Sequence, residues 1–331
     1  MRKILIGVFL VALSILGQAQ VLTQEKNSSM WDLKGPVHTM RQSSYRSDRF
    51  DIDGNRLNRF EKSFLLYYED FVFDSLHSLT YYYSYHKNGN KEDFEQYTFD
   101  SLHRIVSITY GEGKKEQAKI VYHYNRLGQL YLADNYNDSG QLEMQTTYRY
   151  KENRISEIKI YNMQKIVCSH SKYSYDEAGN LLEMRNMKVP LLQNPPYAFK
   201  YSYNTEHLKN VEKYLDDKDQ VVWETFFAYD RRHRLVVEET YDGAKQLQKR
   251  IEYQYGRKGL LKYETRKDAI RTQNITYYYD RQNRLSYSVN LFGDVNYRTF
   301  FLEYDAYGNW TEKVEFDGLQ VRITSRELTY F

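Results

Sequence analysis

Aromatic residues punctuate this chain at a nearly fixed interval. Phe50, Phe73, Phe99, Tyr124, Tyr150, Tyr175, Tyr203, Tyr229, Tyr255, Tyr279 and Tyr304 follow one another 23–28 residues apart. Phe73-Asp74-Ser75-Leu76-His77 and Phe99-Asp100-Ser101-Leu102-His103 are identical. Self-similarity at one period is the mark of a repeat architecture. Two residues before most anchors stands a second aromatic, as in Tyr122, Tyr148, Tyr173, Tyr201 and Tyr277. A spacing of two puts both rings on one face of a strand. The residue after the anchor is mostly Asp or Asn, whose short side chain bonds the backbone ahead and opens a turn. Four residues after the anchor stands Gly54, Gly128, Gly179, Gly259 or Gly308, or in other units His77, His103, His207, His233 or Asn283. That position demands positive φ, which Gly adopts freely and Asn and His tolerate best among the rest. Six residues after the anchor the next apolar run begins, as at Leu79, Ile105, Leu130, Leu181, Leu235, Leu285 and Trp310.

Weaker anchors fall half a period on, at Tyr85, Tyr136, Tyr161, Tyr214, Tyr241 and Phe316. Tyr136-Asn137-Asp138-Ser139-Gly140 and Tyr241-Asp242-Gly243 carry the same turn chemistry. Each unit of about 25 residues therefore reads as two strands and two turns. Eleven units predict on the order of 22 short antiparallel strands, each around 8 residues. No helical periodicity of useful length follows the N-terminal segment. The fold class expected is all-β: an array of antiparallel hairpins forming one long, twisted or spiral single-layer sheet. Tyr and Leu rows should line its concave face, with Lys, Glu and Arg outside. Asn186–Tyr197, which holds three of the four prolines, reads as a loop insertion. Open edge strands at both ends of such a sheet would be available for edge-to-edge self-association.

Composition adds a compartment. Arg2 and Lys3 precede an apolar run from Ile4 to Leu16 and a small-x-small site, Gly17-Gln18-Ala19. This is the pattern of a secretory signal peptide over residues 1–19, leaving 20–331 as a single repeat domain. The apolar run is shorter than the roughly 20 residues a membrane helix needs. The chain holds 35 Tyr and a single cysteine, Cys168, so stability must come from packing rather than disulfides. Cys168 sits in an apolar strand pattern and reads as a buried structural thiol. Lys+Arg number 47 and Asp+Glu 44, interspersed along the chain. No basic tract of the kind that tracks nucleic acid stands out.

Tyr175-Asp176-Glu177-Ala178-Gly179-Asn180-Leu181 and Tyr304-Asp305-Ala306-Tyr307-Gly308-Asn309-Trp310 resemble the YD repeat of the Rhs-like family, over roughly residues 45–331. Trp31-Asp32-Leu33-Lys34-Gly35-Pro36-Val37 and the stretch from Gly308 to Phe331 also resemble secreted repeat proteins of Bacteroides-like bacteria. In the Rhs-like family such repeats build a strip of sheet that spirals into a hollow shell. This chain is far shorter than such a shell. Neither a distinct C-terminal toxin domain nor an Asp-Pro self-cleavage core is expected of it.

Candidate chemistry is sparse. Asp51-Ile52-Asp53-Gly54-Asn55 superficially resembles a calcium loop, but aligning its glycine puts Arg49 first and Phe60 twelfth, where acids are required. Asp216-Asp217-Lys218-Asp219 falls at a half-period turn. The turn histidines are two strands apart, too far to share one ion. No nucleophile, phosphate-loop, dinucleotide or zinc-protease motif is present. The expectation is a non-enzymatic, exported scaffold of a Gram-negative bacterium, periplasmic or on the cell surface, without metal or cofactor. It would bind a glycan or an envelope protein through a repetitive aromatic surface, with no assignable site residues. The alternatives are a structural or assembly protein, an accessory of an Rhs-type toxin system, and an outer-membrane barrel.

Overall fold

The computed structural model describes residues 26–189, 197–293 and 295–331. The expected leader, and residues 190–196 of the expected insertion, lie outside them. Among the described residues, Asn186 ends one strand and Tyr197 begins its antiparallel partner, so the insertion joins two adjacent strands.

Twenty-two strands form one closed antiparallel barrel, with a separate two-stranded hairpin. The first strand, β1 (Val37–Ser47), is followed by the hairpin β2 (Phe50–Asp53) and β3 (Arg56–Phe60). A meander then starts with β4 (Phe64–Phe73), β5 (Leu79–His86), β6 (Lys91–Phe99) and β7 (Ile105–Glu112). It continues through β8 (Lys115–Tyr124), β9 (Leu130–Asn137), β10 (Leu142–Lys151), β11 (Arg154–Asn162), β12 (Val167–Tyr175), β13 (Leu181–Asn186), β14 (Tyr197–Tyr203) and β15 (Lys209–Leu215). Next come β16 (Val221–Tyr229), β17 (Leu235–Asp242), β18 (Leu247–Tyr255), β19 (Leu261–Asp268), β20 (Thr272–Tyr279) and β21 (Leu285–Phe292). It ends in β22 (Val295–Tyr304), β23 (Trp310–Phe316) and β24 (Val321–Tyr330). β1 lies between the two ends of this meander. It pairs with β24 through Met40↔Leu328 and Tyr45↔Ile323, and with β4 through Met40↔Phe71 and Arg41↔Asp70.

The expected open spiral is therefore corrected to a closed barrel, and the expected free edges are absent among the described strands. The repeat itself supplies the curvature. Ladder register shifts at the anchor in unit after unit, at Val72/Phe73, Thr98/Phe99, His123/Tyr124, Ala228/Tyr229 and Gln254/Tyr255. A bulge at one end of every hairpin bends and twists the sheet in the same sense. A second correction concerns the first unit. The hairpin around Asp51–Gly54 leaves the array and packs Ile52, Leu57 and Phe60 over Phe300, Val314 and Ile323.

Turn chemistry follows the sequence closely. His77, His103, His207, His233 and Asn283 adopt φ of 58–68°, in the same turn position as Gly128, Gly179, Gly259 and Gly308. The residue after the anchor caps its own turn. Asp74 Oδ1, for example, accepts from the backbone N–H of Leu76 at 2.9 Å and of Ser78 at 3.0 Å.

Candidate functional site

Following cross-strand pairs round the ring separates two faces. One carries Phe71, Tyr97, Tyr122, Tyr148, Tyr173, Tyr201, Phe227, Tyr253 and Tyr277. The other carries charge: Arg41, Asp70, Lys119, Glu157, Lys172, Arg185, Lys200, Lys213, Glu239 and Arg250. Burial drives the Tyr97, Tyr122 and Tyr148 hydroxyls far above their usual range and holds Tyr173 at about 12. The aromatic face is the inside of the barrel, as the pattern predicts.

The anchors build a spine along one rim. Tyr124, Tyr150, Tyr203, Tyr229, Tyr255 and Tyr279 each donate a hydroxyl to a backbone carbonyl one unit back, at 2.8–3.0 Å. Tyr304 donates likewise to Leu285. Tyr175 breaks the series, because its buried hydroxyl has no partner. Arginines tie successive units together. Arg234 pairs with Asp230 of its own turn and lies 4.3 Å from the ring centre of Tyr255 in the next unit. Arg104 and Arg284 repeat this against Tyr124 and Tyr304. Arg234 holds the Asp230 carboxyl down at about 2.

Not every inward ring faces hydrocarbon. Tyr82 donates to Glu69, Tyr253 to Glu238 and Tyr277 to Glu264, at 2.7–2.9 Å. Glu69 also accepts from Gln42, which accepts from the buried Arg326. Arg326 packs 3.6 Å from the centre of the Trp310 ring, and burial lowers its guanidinium to about 10. These carboxylates are a feature that alternation alone concealed, since an acid at one position in a tyrosine row looks like an outward residue.

The two terminal motifs meet. Asn309, almost wholly buried, accepts from the backbone N–H of Lys34 at 2.6 Å and donates to its carbonyl at 2.9 Å. The same side chain bonds Asp305 and Tyr330, and Tyr330 also donates to Asp305. Gly35, at φ +76°, leaves no room for a Cβ because the Tyr307 ring lies against it. Trp31 stands edge-on to Phe71 and Phe73, at centroid distances of 4.8 and 5.8 Å, filling the inside beside the last and first units of the meander.

The outer wall also carries rings: Tyr278 stacks on Tyr287 at 4.1 Å and Phe226 meets Tyr241 at 5.8 Å, and the largest group lies on three adjacent strands. On β4–β6, Tyr68 and Tyr85 stack at 4.5 Å, Tyr81 and Tyr83 at 6.0 Å, and Phe94 lies 6.3 Å from Tyr83. Gly111 on β7 makes the space that the Phe94 ring occupies. Polar groups border the rings. Arg41 bonds Asp70 through two nitrogens at 2.7 and 2.9 Å and lies 5.0 Å from the Tyr68 ring centre. Lys91 sits 3.6 Å from the centre of Tyr83, and Gln96 donates to the Tyr81 hydroxyl at 3.2 Å.

The remaining sequence expectations are placed as follows. Cys168 is half-exposed rather than buried, because it falls beside the register shift between Ile160 and Tyr161. Asp219 occupies its half-period turn at φ 61° and pairs with Arg185 at 2.7 Å. No cluster of three metal-ligating side chains occurs among the described residues. No helix among them is long and apolar enough to cross a membrane, which says nothing of strands.

The residues define a closed barrel of aromatic hairpin repeats. No family model matches the chain, and no curated protein does. Among solved structures, the chain is similar to the TcdB2-TccC3-Cdc42 complex at 14% identity and a TM-score of 0.42. That likeness covers 89% of this chain and 16% of the other, so the chain spans about a sixth of its length. It is also similar to a porin-like protein from Bacteroides uniformis at 10% identity and a TM-score of 0.28, covering 90% of this chain and 99% of that one. A porin-like protein from Bacteroides vulgatus gives 14% identity and a TM-score of 0.21, over 64% and 94% of the two chains. Likenesses this distant decide nothing about activity.

Proposed function

We propose that this protein is an exported, non-enzymatic scaffold that binds a glycan on its outer wall. The observation that carries the reading is the cluster of Tyr68, Tyr81, Tyr83, Tyr85 and Phe94, five rings on three adjacent strands of an outer wall that elsewhere sets ring pairs among charged residues. Amphipathic rings offer apolar area and hydroxyls together, which suits the apolar faces and hydroxyl edges of sugars. Asp70, Gln96 and Lys91 stand beside the rings as hydrogen-bonding groups for those edges. The inward rings are a poor alternative surface, since they pack on one another and bond backbone or carboxylates.

A membrane barrel fits these residues badly. Its outer wall would face lipid, where each Arg or Lys near the midplane costs about 2–4 kcal/mol. Here Lys119, Lys172, Lys200, Lys213, Arg250 and Lys267 lie on that wall. The structural or assembly reading draws on the closed barrel, which needs no ligand to account for it.

The test is binding of residues 20–331 to a panel of neutral and acidic bacterial and host polysaccharides, with Tyr83→Ser and Tyr85→Ser as controls. Saturable binding to a member of the panel, lost in the variants, is the expected result. Binding that persists in both variants would remove the patch from the site, and silence across the panel would favour a protein partner.

A further inference from the structure

The rim formed by the main turns changes character around the barrel. On one arc the turn tips are apolar and exposed, at Leu76, Leu102 and Leu127. On another, the turns joining β16–β17, β18–β19 and β20–β21 present Arg231, Arg232, Arg257, Lys258 and Arg281, all exposed. We propose that this basic arc holds an acidic polysaccharide, one anionic sugar to each turn. The inference deepens the glycan-binding reading by naming a charge class, at a site separate from the ring patch.

Three observations carry it. Among the described residues the cations are uncommitted: none of the five forms an ion pair there, and the only side-chain bond they make is Lys258 Nζ to Asn283 Oδ1 of the neighbouring turn at 2.8 Å. The acids at the base of the turns are already engaged, Asp230 by Arg234 and Asp280 by Arg284, each also capping its own backbone. Finally, the spacing is regular. Adjacent main turns stand two strands apart, roughly 10 Å at ordinary strand separation, which is about the length of a disaccharide. A chain with an acidic group on alternate sugars would meet one cationic tip per repeat, and weak contacts at three tips would add through multivalency. Glu206, which pairs with His233 at 3.2 Å, marks the border of the arc on one side. Among the described residues no Trp, Tyr or Phe stands at these tips to stack successive nucleobases, as single-strand binders require, and the one ring there, His233, is paired with Glu206. Sequence reading misses the arc because the charges come one or two per repeat and are gathered only by the fold.

The experiment titrates the 20–331 chain with hyaluronan, which has a carboxylate on alternate sugars, with neutral dextran and with oligo(dT). The proteins are wild type, the Arg232→Gln/Lys258→Gln/Arg281→Gln variant, the matching Arg232→Lys/Lys258→Arg/Arg281→Lys variant, and Tyr83→Ser. Hyaluronan binding that weakens with salt, falls roughly tenfold or more in the glutamine variant, and survives in the charge-keeping variant supports the proposal. Retention of that binding in Tyr83→Ser separates the arc from the ring patch. Equal binding by wild type and the glutamine variant, tighter binding of oligo(dT) than hyaluronan, or no hyaluronan binding at low salt would each overturn it.

Discussion

A tyrosine hydroxyl at the anchor position has a defined partner, and the partner is what makes the ring more than filler. Removing the Tyr255 hydroxyl leaves the Leu235 carbonyl without its 2.9 Å donor. Tyr255→Phe is expected to cost about 1 kcal/mol in urea unfolding, the usual net value of one such bond. Tyr175→Phe is the internal control, because that hydroxyl is buried and unpartnered. It should be neutral or slightly stabilising, and a loss equal to that of Tyr255→Phe would contradict the spine as described. At the turn, His233 holds φ at 60°. His233→Gly should be tolerated, whereas His233→Val should lower stability by about 1–2 kcal/mol, since a β-branched residue pays for that conformation. Asn309 carries the largest single-residue consequence. Asn309→Ala removes the partners of the Lys34 backbone N–H and carbonyl and empties a buried polar position, so a loss of about 1–3 kcal/mol is expected from the same measurement.

At the scale of elements, β1 is the piece whose absence the rest cannot absorb. Deleting residues 20–47 frees the edges of β4 and β24, which now pair with β1 along most of their length. Exposed edges recruit other chains. Light scattering after size exclusion should therefore show oligomers for the truncated chain, and a monomeric truncated chain of native circular dichroism would refute the closing role. This element also marks the limit of what the sequence discloses. Strand pattern and turn φ were legible because each rests on residues within a few positions of one another: Tyr255 with Gly256 and Gly259, or Phe73 with Asp74 and His77. Closure was not, because it depends on Val37–Ser47 finding β24 and on Lys34 finding Asn309, contacts with no local signature. The first hairpin misled for a related reason. Phe50, Asp51 and Gly54 satisfy the repeat, yet packing against Val314 and Ile323 draws them out of the sheet. The candidate site was legible only in outline, since Tyr81, Tyr83 and Tyr85 have the composition of an inward row and only the pairing of β4 with β5 turns them outward.

For the whole molecule, the tyrosine content sets the response to alkali. Tyr150 and Tyr173 are pushed up to about 12 by burial, and Tyr97, Tyr122 and Tyr148 higher still. In the unfolded chain each would ionise near 10. Below that pH both states bind the same protons, and the contribution to stability is complete. Above it the unfolded chain sheds protons that the barrel retains, so stability falls as pH rises through 10 towards 12. Absorbance of tyrosinate should rise in two steps, exposed rings first and the inner rows together with loss of sheet. A single transition near 10 with the sheet intact would place the inner rows in water.

The meeting of Lys34 with Asn309 has a further consequence, for synthesis. A nascent chain carries Lys34 through the synthesis of 275 further residues before the one that clasps it exists. Until then the growing sheet keeps two raw margins and an unfilled interior. A product cut short anywhere before Trp310 can never be sealed, however well its individual hairpins form. Sealing thus acts as a check on length, and it sorts finished molecules from fragments, leaving the fragments sticky and open to proteolysis.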